Sequence, residues 1–285
     1  MTLPNGFLFN QGNLQDYMDC QRRFQLRYLL HLAWPAVEAE PFLEYERISE
    51  QGSRFHKIIR QYLSGVPESS IDLSIIDDEV LYFWWRNYKQ SLNDGILKLI
   101  HQDGNKLFEE LILSVPLGDF RLIAKYDLLV IQPDSKYLII DWKTSQNRPK
   151  QKWLANRLQT HVYPFVFSLA ASSINYNKPI DPEQIEMIYW FTNQPDKPER
   201  FYYNSSAFTS DMRYLTNLSV EISQKTDPVF QLTEDVKHCL FCTYRSLCNR
   251  GIKPGELYQL EEWQEAGQTA EEVSLNYEQI IEIEY

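Results

Sequence analysis

The chain has no run approaching the roughly 18 apolar residues of a membrane helix, which excludes an integral helical membrane protein. Met1 to Asn10 has neither a basic start nor a long apolar stretch, so no secretory signal is expected there. Positive charge is not in excess: 28 Lys and Arg stand against 39 Asp and Glu, a formal net charge of −11. That argues against a protein that coats nucleic acid by bulk charge, but not against an enzyme that grips phosphates through a local basic groove. There is no internal repeat and no low-complexity segment. Cysteine is scarce, at four residues, so no dense disulfide framework is available. The expected location is cytoplasmic, where thiols stay reduced and grouped cysteines point to metal.

Those four cysteines are nevertheless informative. Cys20 stands alone in the basic, aromatic stretch Cys20-Gln21-Arg22-Arg23-Phe24-Gln25-Leu26-Arg27-Tyr28, and Cys239, Cys242 and Cys248 form a C-x2-C-x5-C run. Four thiolates suit a tetrahedral zinc or a [4Fe–4S] cluster. A shared site would staple together two ends of the chain that lie more than 200 residues apart. The competing readings are four unrelated buried cysteines or two disulfides.

At 44% hydrophobic and 14% aromatic, 285 residues are globular and can bury a large core. Helical spacing over 12–31 and 44–63 predicts two helices, and 72–102 reads as a further aromatic, helical layer. From 107 the period changes to two. Segments 107–117, 120–132 and 136–142 read as strands, with turns at Gly118-Asp119 and Pro133-Asp134-Ser135. A helix over 150–172, a strand over 185–192 and a helix over 206–225 follow. The expected class is α/β: helix, three antiparallel strands, helix, strand, in a mixed sheet with helical insertions. The division is one domain over 1–255, with an insertion about 65–105 and a segment 236–250 closing onto Cys20. An acidic extension over 256–285 reads as a solvated helix face.

The second and third strands hold the chemistry. In Tyr137-Leu138-Ile139-Ile140-Asp141-Trp142-Lys143, Asp141 and Lys143 share one face of the strand and Trp142 takes the other. A carboxylate and an ammonium at the end of an apolar strand need partners or a metal. Asp127 on the neighbouring strand can bring a second carboxylate. Two carboxylates suit Mg²⁺ or Mn²⁺, and a lysine beside them can handle an attacking water or a phosphate. That is equipment for metal-assisted phosphodiester hydrolysis. An Asp-x-Lys triplet by itself is weak evidence, because a surface Asp–Lys pair at a strand end is very frequent.

With these motifs in order, the chain resembles the PD-(D/E)XK nuclease superfamily, with a restriction-endonuclease-like core. The resemblance is to its RecB-like branch with a four-cysteine iron–sulfur staple, similar to CRISPR adaptation nucleases and the nuclease domains of bacterial break-resection complexes. The matching residues are Leu14 through Phe24 around Cys20, Gly52-Ser53-Arg54-Phe55-His56, Asp127, Asp141-Trp142-Lys143, Gln159 with Tyr163, and Cys239, Cys242 and Cys248. Two departures are Ala124, where the family often has glycine, and Gln21, where it often has proline.

The resemblance implies Asp127, Asp141 and Lys143 as catalytic residues, with His56 and the Trp142 carbonyl completing the metal shell. It implies Gln159 and Tyr163 near the scissile phosphate, and a [4Fe–4S] cluster in preference to zinc. The implied substrate is DNA, single-stranded or with free ends, in repair or recombination or in CRISPR or phage defence. A helicase or other repair or defence protein is an implied partner. His161 reads as structural. Arg148, Lys150 and Lys152, Arg22, Arg23 and Arg27, and Arg245 and Arg250 are candidates for phosphate contacts. Phe24, Tyr28, Trp153 and Tyr244 are candidates for base stacking. The alternatives are a catalytically idle DNA-binding or helicase-scaffolding member of the family, and a zinc-stapled binding module.

Overall fold

The computed structural model describes residues 3–33, 40–145, 148–170 and 180–252, with side chains from 46 onward in the second stretch. The acidic extension over 256–285 lies outside the described residues.

Three strands form an antiparallel meander: β2 (Lys106–Leu117), β3 (Phe120–Ile131) and β4 (Tyr137–Lys143). The first turn uses Gly118 at φ +61 and the second places Ser135 at φ +62, backbone that turn residues tolerate. β5 (Ile185–Phe191) runs parallel to β4, so the chain must cross over. The crossover carries α6 (Gln151–Ala155) and α7 (Leu158–Ala170). All of β5 is buried, as expected of a strand covered on both faces. β1 (Leu8–Asn10) pairs parallel with β3, and β6 (Glu199–Tyr202) pairs antiparallel with β5. The result is a mixed six-stranded sheet in an α/β fold.

Each face of the sheet has its own core. One holds Leu14 and Tyr17 of α1 (Gln11–Asp19), residues of α7, and Leu215, Leu218 and Ile222 of α8 (Ser205–Gln224). The other holds Phe55 and Ile59 of α3 (Glu40–Leu63), Ile71 of α4 (Glu68–Ile75), and Trp84, Trp85 and Tyr88 of α5 (Glu79–Asn93). Along β4 the alternation is regular. Tyr137 and Ile139 enter the first core, and Leu138, Ile140 and Trp142 the second.

The alternation of β3 slips by one residue at Asp127. Leu122, Ala124 and Tyr126 face the first core, but beyond Asp127 that core receives Leu129, while Leu128 and Val130 turn to the second. β2 slips at the facing position, Glu110, between the pairs Glu109↔Leu128 and Leu111↔Tyr126. Glu110 has φ +52, a left-handed conformation that costs a non-glycine residue about 1–2 kcal/mol. The strained residue thus sits opposite the aspartate whose side chain the slip re-aims.

Several elements differ from the periodicity. The helix expected over 12–31 breaks at Cys20, whose backbone is extended (φ −162, ψ 104). It resumes as α2 (Gln21–Phe24) and a π-helical turn over Gln25–Leu29. That wide turn places the buried Gln25 amide to donate to Pro228 O (3.0 Å) and accept from Phe230 N (2.9 Å). The layer expected over 72–102 is α4, α5 and a 3-10 helix over Ile96–His101, interrupted where the Asp78 carboxylate caps the Leu81 N–H. β1 and β6, at three and four residues, are too short for a period to register. Among the described residues no helix is long and apolar enough to cross a membrane.

Candidate active site

The sheet forks beside β3. On the edge away from β2, β1 pairs with residues 121–123 and β4 with residues 128–131. β1 is parallel to β3 and β4 antiparallel, so their C-terminal ends point toward each other across residues 124–127. The β3–β4 ladder stops at Leu128↔Ile140, one step short of Asp127 and Asp141. In its place the Asp127 carboxylate reaches across, and Oδ2 accepts the Trp142 N–H at 2.9 Å.

Two groups of side chains meet there. From the α3 layer, His56 Nδ1 lies 3.2 Å from Asp127 Oδ1. Burial alone would raise the Asp127 pKa. His56, the Trp142 N–H and nearby Lys143 together outweigh it and hold the carboxyl below its usual range, so it is ionised at neutral pH. From the α7 layer, Lys143 Nζ lies 2.8 Å from Asp141 Oδ2 and donates to Gln159 Oε1 at 2.9 Å. Gln159 Nε2 donates in turn to Asp141 Oδ1 at 2.5 Å. Asp141 is 1% exposed, so a carboxylate there requires such partners. The Trp142 peptide joins the two groups, because it follows Asp141, precedes Lys143 and binds Asp127.

Packing fixes both halves. Phe55, beside His56, stacks on Trp190 and meets Trp84 and Tyr88 edge-on. Trp142 meets Tyr88 and Trp190 edge-on at 5.6 and 5.9 Å. The tryptophan between the two charged residues therefore anchors the strand in the opposite core. Gly52 lies one turn before His56 on α3. A Cβ there would stand 2.7 Å from Thr144 Oγ1, just past Lys143. Gly52→Ala is expected to push α3 off the end of β4, destabilising the fold by about 1–3 kcal/mol and lowering turnover, with Thr144→Ala in the same chain restoring both. Denaturant midpoints of the single and double variants check this, and an unshifted midpoint in Gly52→Ala would refute the close approach.

The remaining expected residues divide. Tyr163 shares the Gln159 face of α7. Its hydroxyl accepts from Gln11 Nε2 at 3.2 Å, and its ring packs against Tyr126. Gln11 begins α1, on the far side of the fork from Lys143. Phe24 and Tyr244 are buried, so their rings are closed to bases. Arg23 pairs with Asp16 and Asp19, Arg27 with Asp16, and Arg148 with Glu199. Arg245 and Arg250 hold backbone carbonyls of Leu240 and Thr233. Each of these arginines is thus engaged within the fold. His161 lies 2.7 Å from Asp211 on the α8 side. Sequence reasoning missed Gln11, Thr144 and Tyr189. The Tyr189 ring centroid lies 5.2 Å from Lys143 Nζ. Gln11 and Tyr189 reach the site from separate elements, and Thr144, though next to Lys143, has no pattern that marks its approach to Gly52.

The cysteine segment docks on the first helices. Arg22 N donates to Gln231 O at 3.0 Å, and Tyr244 OH to Leu32 O at 3.1 Å. Cys20 is buried and all four thiols are free. Burial pushes the Cys242 thiol up to about 11, with Arg23 opposing. Burial and then the neighbouring Cys20 raise both Cys239 and Cys248. Among the described residues, however, no three His, Cys, Asp or Glu side chains stand at metal-binding spacing, at the thiols or at the fork. By chemistry, the imidazole and two carboxylates at the fork fit a hard divalent cation. In this arrangement His56 and Asp127 face each other, and Asp141 faces Lys143 and Gln159.

Comparison with known proteins adds the family. Among solved structures, the protein SSO0001 shares 14% identity, with a TM-score of 0.41 and 88% of each chain covered. A protein of Eubacterium rectale named as a candidate exonuclease shares 8% identity, with a TM-score of 0.47 over 76% of this chain and 80% of that one. Comparison with curated protein sequences finds no match. A family profile described as the PD-(D/E)XK nuclease superfamily matches residues 9–249. That span holds the fork, His56, Gln159 and all four cysteines, and the chain belongs to the PD-(D/E)XK nuclease superfamily.

Proposed function

We propose that this chain is a metal-dependent deoxyribonuclease acting on single-stranded DNA or DNA ends. The observation that carries the reading is Lys143, held between the Asp141 carboxylate and the Gln159 amide beside a second, ionised carboxylate, Asp127.

Asp127, Asp141, His56 and the Trp142 carbonyl would hold Mg²⁺ or Mn²⁺. The ion, when bound, supplies charge neutralisation at the phosphate and a water of lowered pKa. The chain's own groups do the rest. Gln159 and Asp141 fix the Lys143 ammonium, so its charge is already oriented where negative charge grows on the phosphate oxygens. Nζ can also hand a proton to the water network at the leaving oxygen. The Tyr189 ring, with its centroid 5.2 Å from Nζ, covers the ammonium from the α7 side and limits its screening by bulk water.

For the cysteines we propose one [4Fe–4S] cluster held by Cys20, Cys239, Cys242 and Cys248, joining α1–α2 to the segment after α8. The docking of that segment on the helices that carry Cys20 supports it. The proposed setting is DNA repair or recombination, or CRISPR or phage defence, together with a helicase or similar protein.

The test is end-labelled single- and double-stranded DNA incubated with the protein. Degradation is expected with Mg²⁺ or Mn²⁺ and is expected to stop on adding EDTA. DNA left intact with either ion, or cleavage unaffected by EDTA, would overturn the reading.

A further inference from the structure

Beside the fork lies a cavity that the catalytic residues do not use. It has a volume of about 520 Å³ and is lined by Arg47 and Gln51 of α3, Glu79, Phe83 and Trp84 of α5, and Asn193 after β5. Its wall is tied to the catalytic strand. Thr192 N donates to Lys143 O at 2.9 Å, and Asn193 Nδ2 donates to Ser145 O at 3.0 Å. Trp84 Nε1 donates to Asn193 Oδ1 at 3.0 Å, which fixes the floor. Gln51 stands little more than one helical turn before His56. The cavity therefore opens on the α3 side of the sheet, just beyond the C-terminal end of β4.

We infer that this cavity receives one unstacked base of a single-stranded DNA whose backbone crosses the fork. The inference rests on the nuclease reading and specifies its substrate. Four features select a base. Phe83 is 40% exposed at the rim, so a flat apolar ring finds aromatic surface there, while Trp84 lines the cavity but is itself buried. The volume falls within the range of about 300–1,000 Å³ typical of small-ligand sites. The amides of Gln51, bonded to Arg47 and Asp78, and of Asn193, bonded to Trp84 and Ser145, each have a second N–H and a second carbonyl lone pair of the kind that meet base edges. Finally, one cation, Arg47, is balanced by one carboxylate, Glu79, which makes a poor phosphate site and a suitable one for a neutral ring. Outside, the Arg86 guanidinium lies 5.8 Å from the Phe83 ring centroid, at the rim where the adjoining phosphate would lie. A base paired in a duplex is stacked on its neighbours and cannot enter without being extruded. The cavity thus selects single strands or frayed ends. It also moves the stacking surface from the buried Phe24 and Tyr244 to the α3–α5 layer.

The test uses the full chain with calcium in place of the activating ion, and single-stranded oligodeoxynucleotides of about 12 residues, within the usual footprint of single-strand sites. 2-Aminopurine is placed at each position in turn. One position is expected to be quenched on binding. Phe83→Ala should abolish that quenching and weaken binding about tenfold, the weight of one base on an aromatic ring. Phe83→Trp should keep both. Removing the base at that position should weaken the unaltered protein equally and leave Phe83→Ala unaffected. Phe83 is at the surface, and an unchanged circular dichroism spectrum confirms folding. Unaltered quenching and affinity in Phe83→Ala, or duplex bound with the same dependence on Phe83, would overturn the inference. Phe83-dependent binding without cleavage under Mg²⁺ or Mn²⁺ would refute the nuclease reading and leave the base site standing.

Discussion

Asp141→Ala and Lys143→Ala are each expected to lower DNA cleavage by at least about 100-fold, the scale of removing one oriented electrostatic group from a transition state. The two substitutions act on one unit. Without the carboxylate, Lys143 keeps Gln159 but loses its counter-charge, and the proposed ion loses a ligand. Without the ammonium, Asp141 keeps its amide bond from Gln159 but the charge beside the phosphate is gone. The losses should therefore be far from additive, with the double variant little worse than the worse single one. Asp141→Asn keeps the shape of the buried side chain and tests charge alone, and it should fall by a similar factor with the fold intact. Initial rates on end-labelled DNA, with circular dichroism on each variant, decide the matter. Cleavage at the unaltered rate by purified Asp141→Asn would remove the fork as the active site.

Cys20→Ser is expected to have the largest effect on stability. In the proposed cluster, Cys20 is the ligand that closes a loop of more than 200 residues. A cross-link of that length contributes roughly 5 kcal/mol by the loop-entropy estimate. Metal held only in the folded state stabilises that state directly. The anaerobically purified protein should be brown with about four irons per chain, and Cys20→Ser should be colourless with a lower denaturant midpoint. The sheet should survive at low denaturant, because Gln25 and Tyr244 still tie the terminal segment to the first helices. One zinc and no iron in the purified protein would reject the cluster, and an unshifted midpoint in Cys20→Ser would reject the staple.

Much of this was legible in the sequence because it is local. The strand period and turn residues marked β2 to β4. The i and i+2 rule put Asp141 and Lys143 on one face with Trp142 opposite, as observed. Likewise i and i+4 spacing put Gln159 and Tyr163 on one face of α7, although the two side chains reach different partners. The break at Cys20 and the wide turn after it were not legible, since the backbone that Arg22 and Gln25 meet there, over 228–231, lies some 200 residues away.

The amino-acid sequence alone determined the α/β class, the three-strand meander and the pairing of a carboxylate with an ammonium at its end, because side-chain period and turn chemistry act between near neighbours. Only the tertiary structure decided where those groups point. The slip at Asp127 and Glu110, the fork between β1 and β4, the Gly52–Thr144 approach and the cavity under Phe83 each depend on elements far apart in the chain. A one-residue slip exchanges the faces of a strand, so no local pattern can state which core or which partner a residue meets beyond it.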